Sequence, residues 1–154
     1  MKQLTDSLLD QLSSQARQSP RLRANHNLHT ALSDPIQRLA IAMEPDTLVR
    51  PHRHRHTWEM LLPLRGRFVV LCFDDAGVVT GRTLLGAGCA VIELPADTWH
   101  AVLSLDRNGV IFEVKHGPYD AQTASEFAPW CAADADANRL NAWYARAQIG
   151  DRLA

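Results

Sequence analysis

Cysteine is scarce in this chain: Cys72, Cys89 and Cys131 are the only three among 154 residues. The number is odd and no pair has CxxC spacing, which argues against a disulfide framework and for a reducing compartment. An excess of charge of either sign is missing as well. Sixteen Lys and Arg against seventeen Asp and Glu leave a net charge of −1. Without a global basic field, no nucleic-acid partner is expected. No apolar run approaches the roughly 20 residues of a membrane span, and the N-terminus lacks the apolar core of a signal peptide. The chain therefore reads as soluble and cytoplasmic, with no membrane partner. Internal repeats and low-complexity segments are absent too.

A chain of 154 residues fits one domain. At that size about two-thirds of the unfolded surface leaves water on folding, enough for a real core. The arginines are unevenly placed. Seven of them run from Arg17 to Arg55, against only Asp34, Glu44 and Asp46. Such a stretch is either a positive face for a small anion or a set of solvated side chains.

Residues 1–18 read as a helix packed on the rest of the fold. Leu4, Leu8, Leu12 and Ala16 recur every four positions, with Thr5 as N-cap and Pro20 as the stop. From Arg21 onward the pattern is short strands between turn signals. Gln37–Met43 alternates, with Leu39, Ile41 and Met43 on one face and Arg38 on the other. Leu48–His54, Trp58–Leu64, Arg67–Phe73, Val78–Leu85, Cys89–Leu94, Thr98–Leu105 and Val110–His116 follow. Asp74-Asp75-Ala76-Gly77 and Asp106-Arg107-Asn108-Gly109 separate hairpin strands. Eight or more such strands suggest a mainly β, single-domain double-sheet jelly roll or small barrel over residues 20–119. Residues 120–154 read as a helical extension. A short helix is expected at Ala121–Ala128 and a longer one at Asp134–Ile149. The Leu140, Trp143, Tyr144 and Ala147 stripe of the longer helix suits core packing or a homodimer contact.

The chemistry-bearing residues lie in two runs. Pro51-His52-Arg53-His54-Arg55-His56-Thr57-Trp58-Glu59 is closed by Gly66, and Gly88 and Pro95 lead to Trp99-His100. His52 and His54 are two apart and so face one side of a strand. A hairpin at Arg55-His56-Thr57 would bring Glu59 across from them. His100 would come from a later strand. Pairing His54 with His56 instead leaves two residues before Glu59, too few for a comfortable turn, so His56 is placed on the loop or rim. Three imidazoles and one carboxylate on a curled sheet can hold a divalent metal.

These runs resemble the two signature motifs of the cupin superfamily. Further segments resemble the WbuC family of cupin fold metalloproteins: Ser19-Pro20-Arg21, Asn27-Leu28-His29, Pro35-Ile36-Gln37-Arg38, Phe73-Asp74-Asp75-Ala76-Gly77, Phe112 to Tyr119 and Phe127-Ala128-Pro129-Trp130. The likeness covers about residues 8 to 131. It implies a cupin (double-stranded β-helix, jelly-roll) barrel with one metal on His52, His54, Glu59 and His100. It also implies a ligand site drawing on Arg23, Asn27, His29, Arg38, Lys115 and Tyr119, and brings a loose association with surface-polysaccharide pathways. Two positions depart from the general cupin pattern: Asp97 stands where it has glycine, and Ser104 where it has asparagine.

The donor set suits Zn, Fe, Mn or Ni, and ligand preference alone does not choose among them. Guanidinium and ammonium groups beside a metal favour a small polar or anionic ligand. Three readings follow. One is a metal-dependent enzyme of isomerase, epimerase or dioxygenase type. The second is a small-ligand-binding or sensing module, and the third is a structural zinc site.

Overall fold

The structure, a computed structural model, describes residues 1–121 and 124–153. Helix α1 spans Asp6–Gln18, with the Thr5 side chain accepting from the Leu8 amide as N-cap. Nine strands then build two facing antiparallel sheets. β1 (Arg23–Asn27), β2 (Ile36–Met43), β9 (Gly109–His116), β4 (Glu59–Arg65) and β7 (Ile92–Leu94) form the first, in that spatial order. β3 (His52–Arg53), β8 (Trp99–Ser104), β5 (Phe68–Phe73) and β6 (Val79–Leu85) form the second. A tenth strand, β10 (Glu126–Phe127), joins its edge beside β3. Helix α2 follows at Ala137–Arg146.

Alternation sorts each strand between two cores. Leu61, Phe68, Val70, Leu94, Val102 and Ile111 point between the sheets and meet there. On the outside of the first sheet, Ala40, Ala42 and Val110 pack against Leu9, Leu12 and Ala16 of α1. On the outside of the second, Val69, Leu71, Ala101 and Leu103 pack against Leu140, Tyr144 and Ala147. The small alanines of β2 let α1 approach closely, while α2 sits on larger side chains. The result is a mainly β jelly roll with a helix on each outer face. Among the described residues no helix is long and apolar enough to cross a membrane.

Three local expectations change. Ala121–Ala128 is not a helix: Glu126 and Phe127 are strand, paired with Arg53 and His52, and positions 122 and 123 lie outside the described residues. Backbone pairing with an open sheet edge there outweighs a helical preference too short to sustain itself. The longer C-terminal helix ends at Arg146, not Ile149. The third change concerns Arg55–Trp58, which turns no hairpin. β3 bonds to β8 and β10 while β4 bonds to β9 and β7, so this segment carries the chain from one sheet to the other.

Candidate metal centre

The register of the second sheet sets two histidines side by side. His52 is opposite His100, and His100 is opposite Cys72 of β5, so all three side chains share a row on the inner face. His54, just beyond β3, keeps the period of two and faces the same way. Ring centroids lie 4.4 Å apart for His52 and His100, 5.2 Å for His52 and His54, and 5.5 Å for His54 and His100. One ring nitrogen from each falls within 4.8 Å of the others. Glu59 arrives from the opposite sheet, across the interior. Its Oε1 is 3.2 Å from His54 Nε2 and its Oε2 is 3.0 Å from His100 Nε2. His54, Glu59 and His100 are buried and His52 is half-buried.

Hydrogen bonds behind the rings fix their tautomers. His52 Nδ1 donates to the Arg50 carbonyl at 2.9 Å and His100 Nδ1 to the Thr98 carbonyl at 2.9 Å. His54 Nδ1 donates to the carbonyl of Ala124. A carbonyl oxygen only accepts, so each Nδ1 carries the proton and each neutral ring presents its Nε2 lone pair. The Nε2 atoms of His54 and His100 are buried and make no hydrogen bond. The Glu59 oxygens touch them without hydrogen-bond geometry. Lone pairs and a carboxylate this close need a cation between them. Imidazoles held by backbone carbonyls with free Nε2 atoms are the arrangement a metal-binding histidine adopts, so the donor set fits a divalent ion.

The electrostatics agree. Burial drives the His52 imidazole down to about 3, aided by its neighbour His100, which keeps that ring neutral. Burial would raise the Glu59 carboxyl, but the imidazoles of His100 and His54 and the Lys115 ammonium hold it well below its ordinary value. Burial would lower His100, and Glu59 outweighs it in the opposite direction.

Lys115 extends the site. It is the register partner of Glu59, with Nζ 3.4 Å from Glu59 Oε1 and 2.7 Å from Glu113 Oε1. Burial and the charge of Glu59 raise the Glu113 carboxyl. Burial opposes the Lys115 charge, but Glu113 and Glu59 raise it. Glu113 is a participant that sequence reasoning missed. Its signal was its position two before Lys115 in β9, which puts both on the inner face.

Of the residues assigned to a ligand site, Arg23, Asn27, His29, Lys115 and Tyr119 line one cavity of about 330 Å3, together with Glu113. Lys115 and Tyr119 also line an adjoining cavity of about 290 Å3 that reaches His54. His29 is buried. Its Nδ1 accepts from the Arg38 amide at 3.0 Å, which leaves a buried Nε2 without a partner. Arg38 itself is not brought there. It lies on the other face of β2, exposed, 3.7 Å from Asp34. His56 is exposed on the loop between the sheets. Asp97 takes the left-handed conformation that glycine would supply, with φ of 64°, and its amide donates to the His54 carbonyl at 2.8 Å. The departure from glycine therefore leaves the turn intact. Ser104 donates to the Asp106 carbonyl at 2.9 Å and is buried.

Fold and site together define the chain as having the cupin fold, with a histidine triad suited to a metal. It belongs to the family described as Domain of unknown function (DUF6016), whose model matches residues 4–85. That stretch contains His52, His54 and Glu59 and stops before His100. No curated protein matches the chain in sequence. Solved structures share its fold at low identity. KdgF from Halomonas sp. is 14% identical, covering 68% of this chain and 84% of its own, with a TM-score of 0.53. An oxalate oxidase in complex with glycolate is 15% identical, covering 84% and 68%, with a TM-score of 0.55. The capsular polysaccharide assembling protein CapF from Staphylococcus aureus is 16% identical, covering 62% and 27%, with a TM-score of 0.52. The chain thus spans about a quarter of CapF.

Proposed function

We propose that this protein is a metal-dependent cupin enzyme. It holds one divalent transition metal on His52, His54, Glu59 and His100 and acts on a small polar or anionic metabolite bound beside it. The observation that carries the reading is the shared tautomer: three clustered imidazoles give their Nδ1 protons to backbone carbonyls, and those of His54 and His100 turn their Nε2 atoms toward the Glu59 carboxylate. A bound divalent ion would supply Lewis acidity to a carbonyl or water. The chain's own residues supply the rest. Arg23 offers a guanidinium fork to a carboxylate or phosphate, Asn27 and Tyr119 offer hydroxyl-reading groups, and His29 has a buried Nε2 to satisfy. Lys115 spans the distance between that cavity and Glu59.

The motif resemblance to the WbuC family supports a sugar-related substrate from a surface-polysaccharide pathway, and CapF, a capsular polysaccharide protein by its name, has the same fold. Isomerase, epimerase and dioxygenase chemistry all suit three imidazoles and a carboxylate, and Zn, Fe, Mn and Ni all suit the donors. Metal analysis of untagged protein tests the proposal. Iron or manganese with water-filled coordination positions supports catalysis; protein that binds no divalent ion at neutral pH overturns it. Burial of His54, Glu59 and His100 favours a second reading, a ligand-binding or sensing cupin with a structural metal. Full-occupancy zinc with four protein ligands and no water would select that one.

A further inference from the structure

A cavity of about 390 Å3 lies away from the histidines, on the outer side of the second sheet, between α2 and the C-terminal tail. Three guanidinium groups line it, Arg139, Arg146 and Arg152, along with two indoles, Trp130 and Trp143. Arg139, Trp143 and Arg146 stand at positions i, i+4 and i+7 of α2 and so share one helical face. The adjacent face, with Leu140, Asn141 and Tyr144, is buried.

A solvated helix face explains the arginines by themselves, but three observations go further. The wall is rigid. Asn141 Nδ2 donates to the Pro45 carbonyl at 3.0 Å and to the Thr47 carbonyl at 3.1 Å, Tyr144 donates to the Val49 carbonyl at 3.1 Å, and Asp136 caps the helix through the Arg139 amide at 2.7 Å. The charge is uncompensated among the described residues: Asp136 is the only carboxylate they place in the lining, and none of the three arginines has an ion-pair partner among them. Arg152 spends only its Nε, on the Ala76 carbonyl at 3.0 Å. The third observation is the Trp130 indole N–H, which is buried and has no acceptor, a state that costs stability until an acceptor reaches it.

We propose that this cavity is a second ligand site, for a small anion carrying an aromatic or similarly flat ring. The anionic group takes the forks of Arg139 and Arg146, with Arg152 beside them. The ring lies against Trp143, which Phe73 backs in a near-parallel stack, 6.3 Å between centroids and 18° between planes. Cavities of this size hold small molecules, and a preformed wall limits the ordering cost of binding. The site is independent of the metal reading, since the sheet separates it from the histidines.

The probe is 8-anilinonaphthalene-1-sulfonate, an aromatic sulfonate that brightens when its ring leaves water, titrated into the 154-residue chain. Saturable one-to-one binding is expected, with weaker binding of the uncharged N-phenyl-1-naphthylamine. An Arg139→Gln/Arg146→Gln double variant should weaken dye binding at least about tenfold by removing both forks. Both arginines are exposed and make no ion pair among the described residues, so the variant keeps its fold, which its melting midpoint verifies. Arg23→Gln, in the cavity beside the metal centre, and chelator treatment should each leave dye affinity unchanged. No saturable binding, undiminished affinity in the double variant, or affinity lost in Arg23→Gln instead would overturn the proposal.

Discussion

The Nδ1–H of His54 donates to the backbone carbonyl of Ala124, seventy positions further along the chain. That carbonyl lies just before β10, which crosses back to pair with β3. Glu126 then receives Arg53 at 3.0 Å and also Arg55. Phe127 brings its ring within 6.3 Å of the His52 ring, and Arg50 lies 4.8 Å over Phe127. The orientation of two of the three imidazoles thus depends on a late segment of the chain that contributes no metal-ligating side chain.

Glu126→Ala tests this dependence. The substitution removes the carboxylate that clamps Arg53 and Arg55 and leaves the three hydrophobic clusters untouched. Metal affinity should fall about tenfold, as is usual when the groups that orient metal-binding histidines are lost. Melting of the metal-free protein at neutral pH should fall only slightly, by what an exposed ion pair contributes. Competition titration against a chromophoric chelator reads the first effect and thermal melting the second; an unchanged affinity would show that β10 does not hold His54.

Replacing the histidines one at a time checks the donor set. His54→Ala and His100→Ala should each abolish stoichiometric metal in protein purified without a tag, because three donors remain around a half-exposed position. His56→Ala should keep full stoichiometry, since His56 is exposed on the loop. Metal retained in both of the first two variants would rule out the proposed site.

Acid should act through Glu126 in a defined direction. Arg55 and then Arg53 hold its carboxyl down at about 2, against an ordinary 4.5. A carboxylate depressed in the folded state contributes stability that is complete above its unfolded value and is lost as the pH falls toward the folded one. The melting midpoint of wild type should therefore exceed that of Glu126→Gln above about pH 4.5, and the gap should close as the pH falls to about 2. A gap that widened with acid would contradict the ion-pair assignment.

The β pattern was legible because alternation survives wherever one strand face is buried: Leu39, Ile41 and Met43 share the inner face of β2 as their spacing implies. That His52 and His54 face one way was legible because a spacing of two needs no tertiary information. Glu59 reaches the histidines by a different route from the one expected. A hairpin was expected to deliver it, whereas the chain changes sheets and the carboxylate crosses the interior. Glu113 and the Ala124 carbonyl were not legible. Glu113 becomes meaningful only when β9 sets Lys115 opposite Glu59. A backbone carbonyl has no sequence signature at all, and its role rests on pairing over a long separation.

Tyr144→Phe examines how α2 holds the approach to the candidate metal centre. The Tyr144 hydroxyl donates to the Val49 carbonyl at 3.1 Å in a fully buried setting. The next residue, Arg50, supplies the carbonyl that orients His52 and donates its own Nη2 to the Cys131 carbonyl at 2.8 Å. Removing the hydroxyl leaves the Val49 carbonyl without that donor, at a cost of about 1–3 kcal/mol. For a chain of this length that corresponds to a melting midpoint lowered by roughly 2–12 °C. The drop should occur in both metal-loaded and chelator-treated protein, with metal stoichiometry unchanged, because Arg50 remains tied to Cys131. Stoichiometry lost at an unaltered melting midpoint would instead mean that the Tyr144 contact positions His52 directly.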